Sequence, residues 1–164
     1  MILKCVRPIW NIYGCQWKKY TPNPRFAIYH PSGTSDINND LVLDQETRLV
    51  WERSPSNEKK DWDVAIIYSY TTVHANHKGW RLPTFEELLS LVDPTQTNPT
   101  LPVQHPFLNV QTDYFYWSST LGMTSLPTYV WGYCFGNADT SNVLRTARCY
   151  TWLVRGGYGH DYPY

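Results

Sequence analysis

No run in the 164-residue chain approaches the roughly 18 consecutive apolar residues of a membrane-spanning helix, so membrane insertion is not expected. Residues 1–20 also lack a continuous apolar segment followed by a small-residue cleavage site, and no signal peptide is visible there. Charge is scarce: 17% of the residues are charged, against about 25% in ordinary soluble domains. Lys+Arg and Asp+Glu number 14 each, which removes the net positive field that concentrates phosphates and disfavours a nucleic-acid partner. The four cysteines contain no Cys-x-x-Cys, so their spacing matches no zinc pattern.

Aromatic residues are abundant instead, with 8 Trp and 13 Tyr. Rings of this kind fill an irregular core or present flat amphipathic faces to sugars and proteins. The length suits one domain that buries roughly two thirds of the surface its unfolded chain would expose. Residues 1–24, aromatic and punctuated by Pro8, Gly14, Pro22 and Pro24, read as an N-terminal extension, and residues 25–164 as the domain. Cys5, Cys15, Cys134 and Cys149 allow three pairings. The two sequence-local ones, Cys5 with Cys15 and Cys134 with Cys149, are the simplest disulfides in an oxidising compartment, and four reduced thiols are the alternative.

Along the domain, residues 41–51 place two β-prone runs around a polar turn and predict a hairpin. Asp61 is positioned to cap a helix over about 62–75, with Trp62, Ala65, Ile66, Ser69 and Tyr70 on one face. In Trp80-Arg81-Leu82-Pro83-Thr84, Pro83 holds Leu82 extended, Thr84 is a cap, and Glu87 completes a capping box. A second helix follows over about 85–92, with Phe85, Leu88, Leu89 and Val92 inward and Asp93-Pro94 as its stop. Residues 95–111 hold Pro99, Pro102 and Pro106 and predict a long surface excursion. Strands are expected at 114–119, 129–135 and 149–154, with a turn cluster at 136–142.

Taken in order, Val42-Leu43-Asp44-Gln45-Glu46-Thr47-Arg48-Leu49-Val50-Trp51-Glu52, Trp62-Asp63-Val64-Ala65, Trp80-Arg81-Leu82-Pro83-Thr84 with Glu87-Leu88, Tyr116-Trp117-Ser118-Ser119-Thr120 and Val154-Arg155-Gly156-Gly157 resemble the Lcl C-terminal domain family. The resemblance covers about residues 26–157. It implies an α+β chain with a C-type-lectin-like fold, in which two helices flank a small looped antiparallel β-sheet. It also implies a bacterial or phage protein at the cell envelope or outside the cell. Family members often carry a disulfide whose positions correspond here to Ser69 and Leu153, so that staple is lost as a pair. Trp51, Trp62, Trp80 and Trp117 are expected in the core, and Arg81 and Arg155 as buried guanidinium groups held by carboxylates or carbonyls, with Glu86, Glu87 or Asp93 as the candidate partners.

The resemblance directs the search for a ligand site to 120–150. Tyr129, Trp131 and Tyr133 alternate on one strand and share a face, with Asn137, Asp139, Asn142, Arg145 and Arg148 as nearby hydrogen-bonding groups. The competing reading packs that face under the Pro-rich excursion. The calcium-binding loop signatures of sugar-binding lectins are missing, and Asn137, Asp139 and Asn142 supply a single carboxylate, so no metal or other cofactor is expected. His74 and His77 lack a third ligand. Cys149 beside Arg148 is the one nucleophile candidate. Arg155-Gly156-Gly157 also resembles a signature of formylglycine-generating oxidases, but no cysteine follows it. The reading is a noncatalytic binding module recognising glycan or protein, as an adhesin or receptor-binding domain. A structural subunit docked into a homo-oligomer or larger complex is the alternative, and the oxidase a distant third.

Overall fold

The predicted hairpin is the centre of the first of two sheets. The computed structural model describes residues 18–20, 23–31, 36–122 and 128–156. Strands β3 (Leu41–Asp44) and β4 (Leu49–Glu52) pair antiparallel around a turn at 45–47, where Arg48 takes φ 63°. Together with β1 (Lys18–Tyr20), β2 (Phe26–Tyr29) and β10 (Val154–Gly156) they form a sheet in the order β1-β2-β3-β4-β10. The second sheet contains β5 (Ser56–Lys60), β6 (Tyr116–Leu121), β7 (Tyr129–Cys134), β8 (Asp139–Leu144) and β9 (Cys149–Thr151), in the order β5-β9-β6-β7-β8.

The chain is therefore α+β, but its sheet content exceeds the expected single small antiparallel sheet. The described residues form two five-stranded sheets, and β6 runs parallel to β9. The strand expected over 149–154 is divided between the sheets: β9 joins the second, Trp152 and Leu153 turn into the core, and β10 pairs with β4 in the first. That crossing ties the two sheets together.

Helix α1 (Trp62–Thr71) starts where expected, with the Asp61 side chain accepting the Val64 N–H. It stops earlier than expected, because the chain turns after Thr72 into a tight bridge between His74 and His77 with Ala75 and Asn76 in the left-handed region. Helix α2 (Phe85–Ser90) has the full capping box: Glu87 N–H donates to Thr84 Oγ1 and Thr84 N–H to the Glu87 carboxylate. Tyr116 and Trp117 are neighbours on β6 and point to opposite faces. Tyr116 clusters with Leu88 and Leu91 of the α2 segment, and Trp117 with Ala65 of α1, so the helices cover opposite faces of the second sheet.

Trp51, Trp80 and Trp117 are fully buried as expected, while Trp62 is half-buried. The 95–111 segment is only partly the surface excursion its prolines suggested. Leu101 and Phe107 insert into the core, and Phe107 meets Trp152 edge to face at 4.9 Å. Ser69 and Leu153 are both fully buried, and Ser69 Oγ donates to the Ile66 carbonyl.

The expected Cys134–Cys149 disulfide is not formed: both are buried free thiols. The sheet register gives the reason. Tyr116 on β6 lies opposite Tyr133 on β7 and Tyr150 on β9, which puts the two cysteines one strand apart on either side of β6. Two strand spacings amount to roughly 9.5 Å, beyond the ~7 Å limit for a bridged Cα pair. Cys5 and Cys15 lie outside the described residues.

Candidate functional site

Strands β7 and β8 pair in register over their whole length, which sets Trp131 directly opposite Asn142, Tyr129 opposite Leu144, and Tyr133 opposite Thr140. Directly opposed residues share a face, so an aromatic strand lies beside a polar one. The face divides along its length. At the end nearer Cys134, Tyr133 is buried under the Pro-rich segment and its hydroxyl is 3.1 Å from Thr100 Oγ1, in keeping with the covered-face alternative. At the other end Tyr129 and Trp131 are only half-buried, and Phe85 of α2 stacks on Trp131 with centroids 5.1 Å apart.

Asn142 Oδ1 is buried against Gly122, where a Cβ would clash with it, and it has no hydrogen-bond partner in the described structure. Leu144 and Leu121 remain exposed beside it. Tyr129, Trp131, Phe85 and Asn142 thus make a partly open patch of three rings and an amide. Phe85, expected on the buried face of α2, packs against the core and also stacks on Trp131 of β7, whereas Leu89, expected on the same face, is 39% exposed.

The other expected site residues serve the scaffold or stand apart. Asn137 Oδ1 accepts the Asp139 N–H in an exposed turn. Arg145 forms an ion pair with Asp63, and its guanidinium lies 4.3 Å from the Trp62 ring centroid. Arg148 donates twice to the Lys59 carbonyl. Among the described residues no group of three His, Cys, Asp or Glu is arranged to hold a metal ion. Burial pushes the Cys149 thiol up to about 12, so it is not a thiolate at neutral pH despite Arg148 beside it.

The motif arginine is a fastening. Arg81 makes a bidentate pair with Glu87, both bonds at 2.7 Å, and also donates to the Leu82 and Gly156 carbonyls. Its backbone exchanges hydrogen bonds with Val154 and covers the outer edge of β10. Gly156 has φ +76°, a conformation that side chains rarely adopt, which accounts for glycine at this position. Gly157 lies outside the described residues.

The family model of the Lcl C-terminal domain matches residues 40–155, well over half of the chain. The chain belongs to the Lcl C-terminal domain family. No curated protein matches it. Within this Lcl domain the matched segment spans β3 to β10, including both helices and the whole β7–β8 patch.

Two features escaped the sequence reading. One is a buried ionisable cluster: Glu52 accepts the Leu153 N–H, and burial pushes its carboxyl up to about 8. His74 Nδ1 is 4.0 Å from Glu52, but burial also lowers the His74 pKa, so this contact joins two uncharged groups and is not an ion pair. The other is the outer face of α1. Tyr70, expected inward, is 69% exposed, and Val64 and Ile67 accompany it. The signal was present in the sequence, since α1 has apolar residues on every side and Asp63 is its one charged residue. A shallow open cleft of about 370 Å³ lined by Arg25, Glu46, Asp93 and Pro102 shares no residue with the expected site, and Arg25 is engaged there by Asp44 and Glu46.

Proposed function

We propose that this Lcl domain is a noncatalytic binding module of C-type-lectin-like architecture, working at the cell envelope or outside the cell and recognising glycan through the β7–β8 patch. The helices on opposite faces of the second sheet support that architecture. The observation that carries the binding reading is the half-open pair of rings on β7, Tyr129 and Trp131, with Phe85 of α2 stacked on Trp131. A ring face accepts the apolar side of a sugar. The buried Cys149 thiol, the single nucleophile candidate, argues against an oxidase role.

The test is a glycan array followed by titration of the strongest hit against wild type and Trp131→Ala. The variant should lose at least tenfold in affinity while keeping its fold, because Trp131 is not fully buried. An empty array, or unchanged affinity in the variant, would defeat the reading. A second reading, docking onto protein, is favoured by one specific observation: α1 leaves Val64, Ile67 and Tyr70 in solvent. On that reading, Ile67→Glu should abolish protein association, and association unaffected by the substitution would reject it.

A further inference from the structure

The connection between the two helices closes on a four-residue turn with a histidine at each end. His74 N–H donates to the His77 carbonyl at 3.1 Å, and His77 N–H to the His74 carbonyl at 2.9 Å. Between them Ala75 and Asn76 take φ 54° and 62°, left-handed values that residues with a side chain disfavour. Ala75 is nevertheless buried, in the cluster that holds Trp80 and Leu153. A conformation of this kind persists only where its surroundings hold it, and here the hold is Trp80. The Trp80 indole N–H donates to the His77 carbonyl at 2.9 Å, and the His74 ring meets the Trp80 ring edge to face at 5.5 Å.

Neither imidazole has a place for a second proton. His74 Nε2 is buried with no hydrogen-bond partner, so in the doubly protonated ring that N–H has no acceptor. Facing His74 are Glu52 of β4 and, ahead of β3, Asp36 and Asp40, while Lys60 of β5 and Tyr68 of α1 lie on the far side of Glu52. Asp40 is already held by His30 and Arg53. The Asp40 backbone and the two aspartates favour a charged His74, but burial outweighs them and lowers its pKa. His77 faces Tyr29 of β2, ring centroids 6.4 Å apart, and Arg155 of β10; burial and the Arg155 charge lower its pKa as well. Lys78, exposed on the same segment, brings a further positive charge.

We propose that residues 72–79 form an acid-released strap: when His74 and His77 take up protons, the 74–77 turn detaches from Trp80 and uncovers Trp80 and Ala75 while both sheets stay folded. The released rings titrate at their ordinary value near 6.5, so release sets in as pH falls through that value. Two protons bound only by the open form raise the opening constant by up to about a hundredfold per pH unit, and one proton by up to about tenfold. Glu52, neutral below about 8, supplies no counter-charge that would hold a protonated His74 in place.

The experiment is hydrogen exchange of the full chain followed by nuclear magnetic resonance from about pH 7.5 to about pH 5.5, each rate divided by its intrinsic value at that pH. Three protons report on the strap: the His74 and His77 amides and the Trp80 indole N–H. Their protection should fall at least tenfold over this range, while amides paired between β6 and β7 keep theirs, which separates local release from global unfolding. His77→Gln should reduce the slope to that of a single proton, and the double variant with His74→Gln should remove it. The wild-type profile decides the matter even where a variant fails to fold. Protection at the three protons that stays constant on acidification overturns the inference, and so does protection that rises, as it would if protonated His74 paired with an ionised Glu52. A loss shared equally by the β6–β7 amides, or a slope retained in a folded double variant, overturns it too.

Discussion

Helix α2 has six residues and α1 ten, yet the shorter helix is the more firmly fastened. In α2 both capping groups are reciprocal, Arg81 clamps Glu87 from the preceding segment, and Leu88 is buried among Tyr116, Tyr133 and Trp152. A helix of this length does not form alone in water, so caps and packing supply its stability. In α1 the cap is the Asp61 side chain alone, the fully buried residues are Ala65 and Ser69 with Ile66 packed beside them, and Val64 and Ile67 face outward. Ala65 of α1 joins an apolar cluster with Trp80, Trp117 and Leu153, but Tyr68 of the same helix lies close to the buried Glu52 and to Lys60; α2 packs on hydrocarbon and aromatic rings. The difference teaches that helix length and apolar content do not by themselves show which helix belongs to the core. Both do, and the shorter, better capped one places the larger side chain, Leu88, there.

The largest effect that would break the comparison is on core packing. Leu88→Ala should destabilise the protein by about 2–5 kcal/mol, whereas Ile67→Ala should change stability by less than about 0.5 kcal/mol, both read by chemical denaturation. Equal costs would mean that Ile67 is packed and not exposed.

The next effect concerns the buried Glu52. The folded-state pKa of Glu52 is raised from 4.5 to about 8, so the folded chain keeps a proton that the unfolded chain releases, and this contribution to stability is lost as pH rises between those values. Glu52→Gln keeps an acceptor for the Leu153 N–H and carries no titrating group. Its stability relative to wild type should therefore increase from pH 5 to pH 9 by on the order of a few kcal/mol. His74, whose pKa is lowered from 6.5, acts in the opposite direction: its contribution is present above that value and is lost as pH falls, in both proteins. A difference between variant and wild type that stays flat with pH would show that Glu52 is not held neutral.

The smallest effect is at the caps. Asp61→Ala removes one capping bond and should cost about 1 kcal/mol by denaturation, while Thr84→Ala, which opens a reciprocal box, should cost at least as much.

Much of this architecture was readable because local chemistry dictated it. The capping box at Thr84 and Glu87, the cap at Asp61, the hairpin at 41–51 and the burial of Trp51, Trp80 and Trp117 each follow from residues a few positions apart or from side chains too apolar to stay in water. Strands β5 and β8 were missed for an equally physical reason. Ser56–Lys60 and Asp139–Leu144 are edge strands of largely polar sequence, held mainly by the backbone of a neighbour, with Val143 the one side chain of the two that is buried. The candidate site was half legible. Alternation placed Tyr129, Trp131 and Tyr133 on one face, but only the fold shows that Tyr133 is covered, that Arg145 and Arg148 are engaged, and that Phe85 joins Trp131.

What the sequence determined on its own is the set of short-range interactions, together with membership of the Lcl family through its ordered motifs. Only the tertiary structure decided which thiols can meet, which aromatic faces stay open, and that α1 shows its aliphatic side to solvent. The reason is range. Caps, turns and alternation act over a few residues, whereas exposure and cysteine distance depend on strand register and on the Trp152–Leu153 crossing between sheets, which bring together residues about a hundred positions apart.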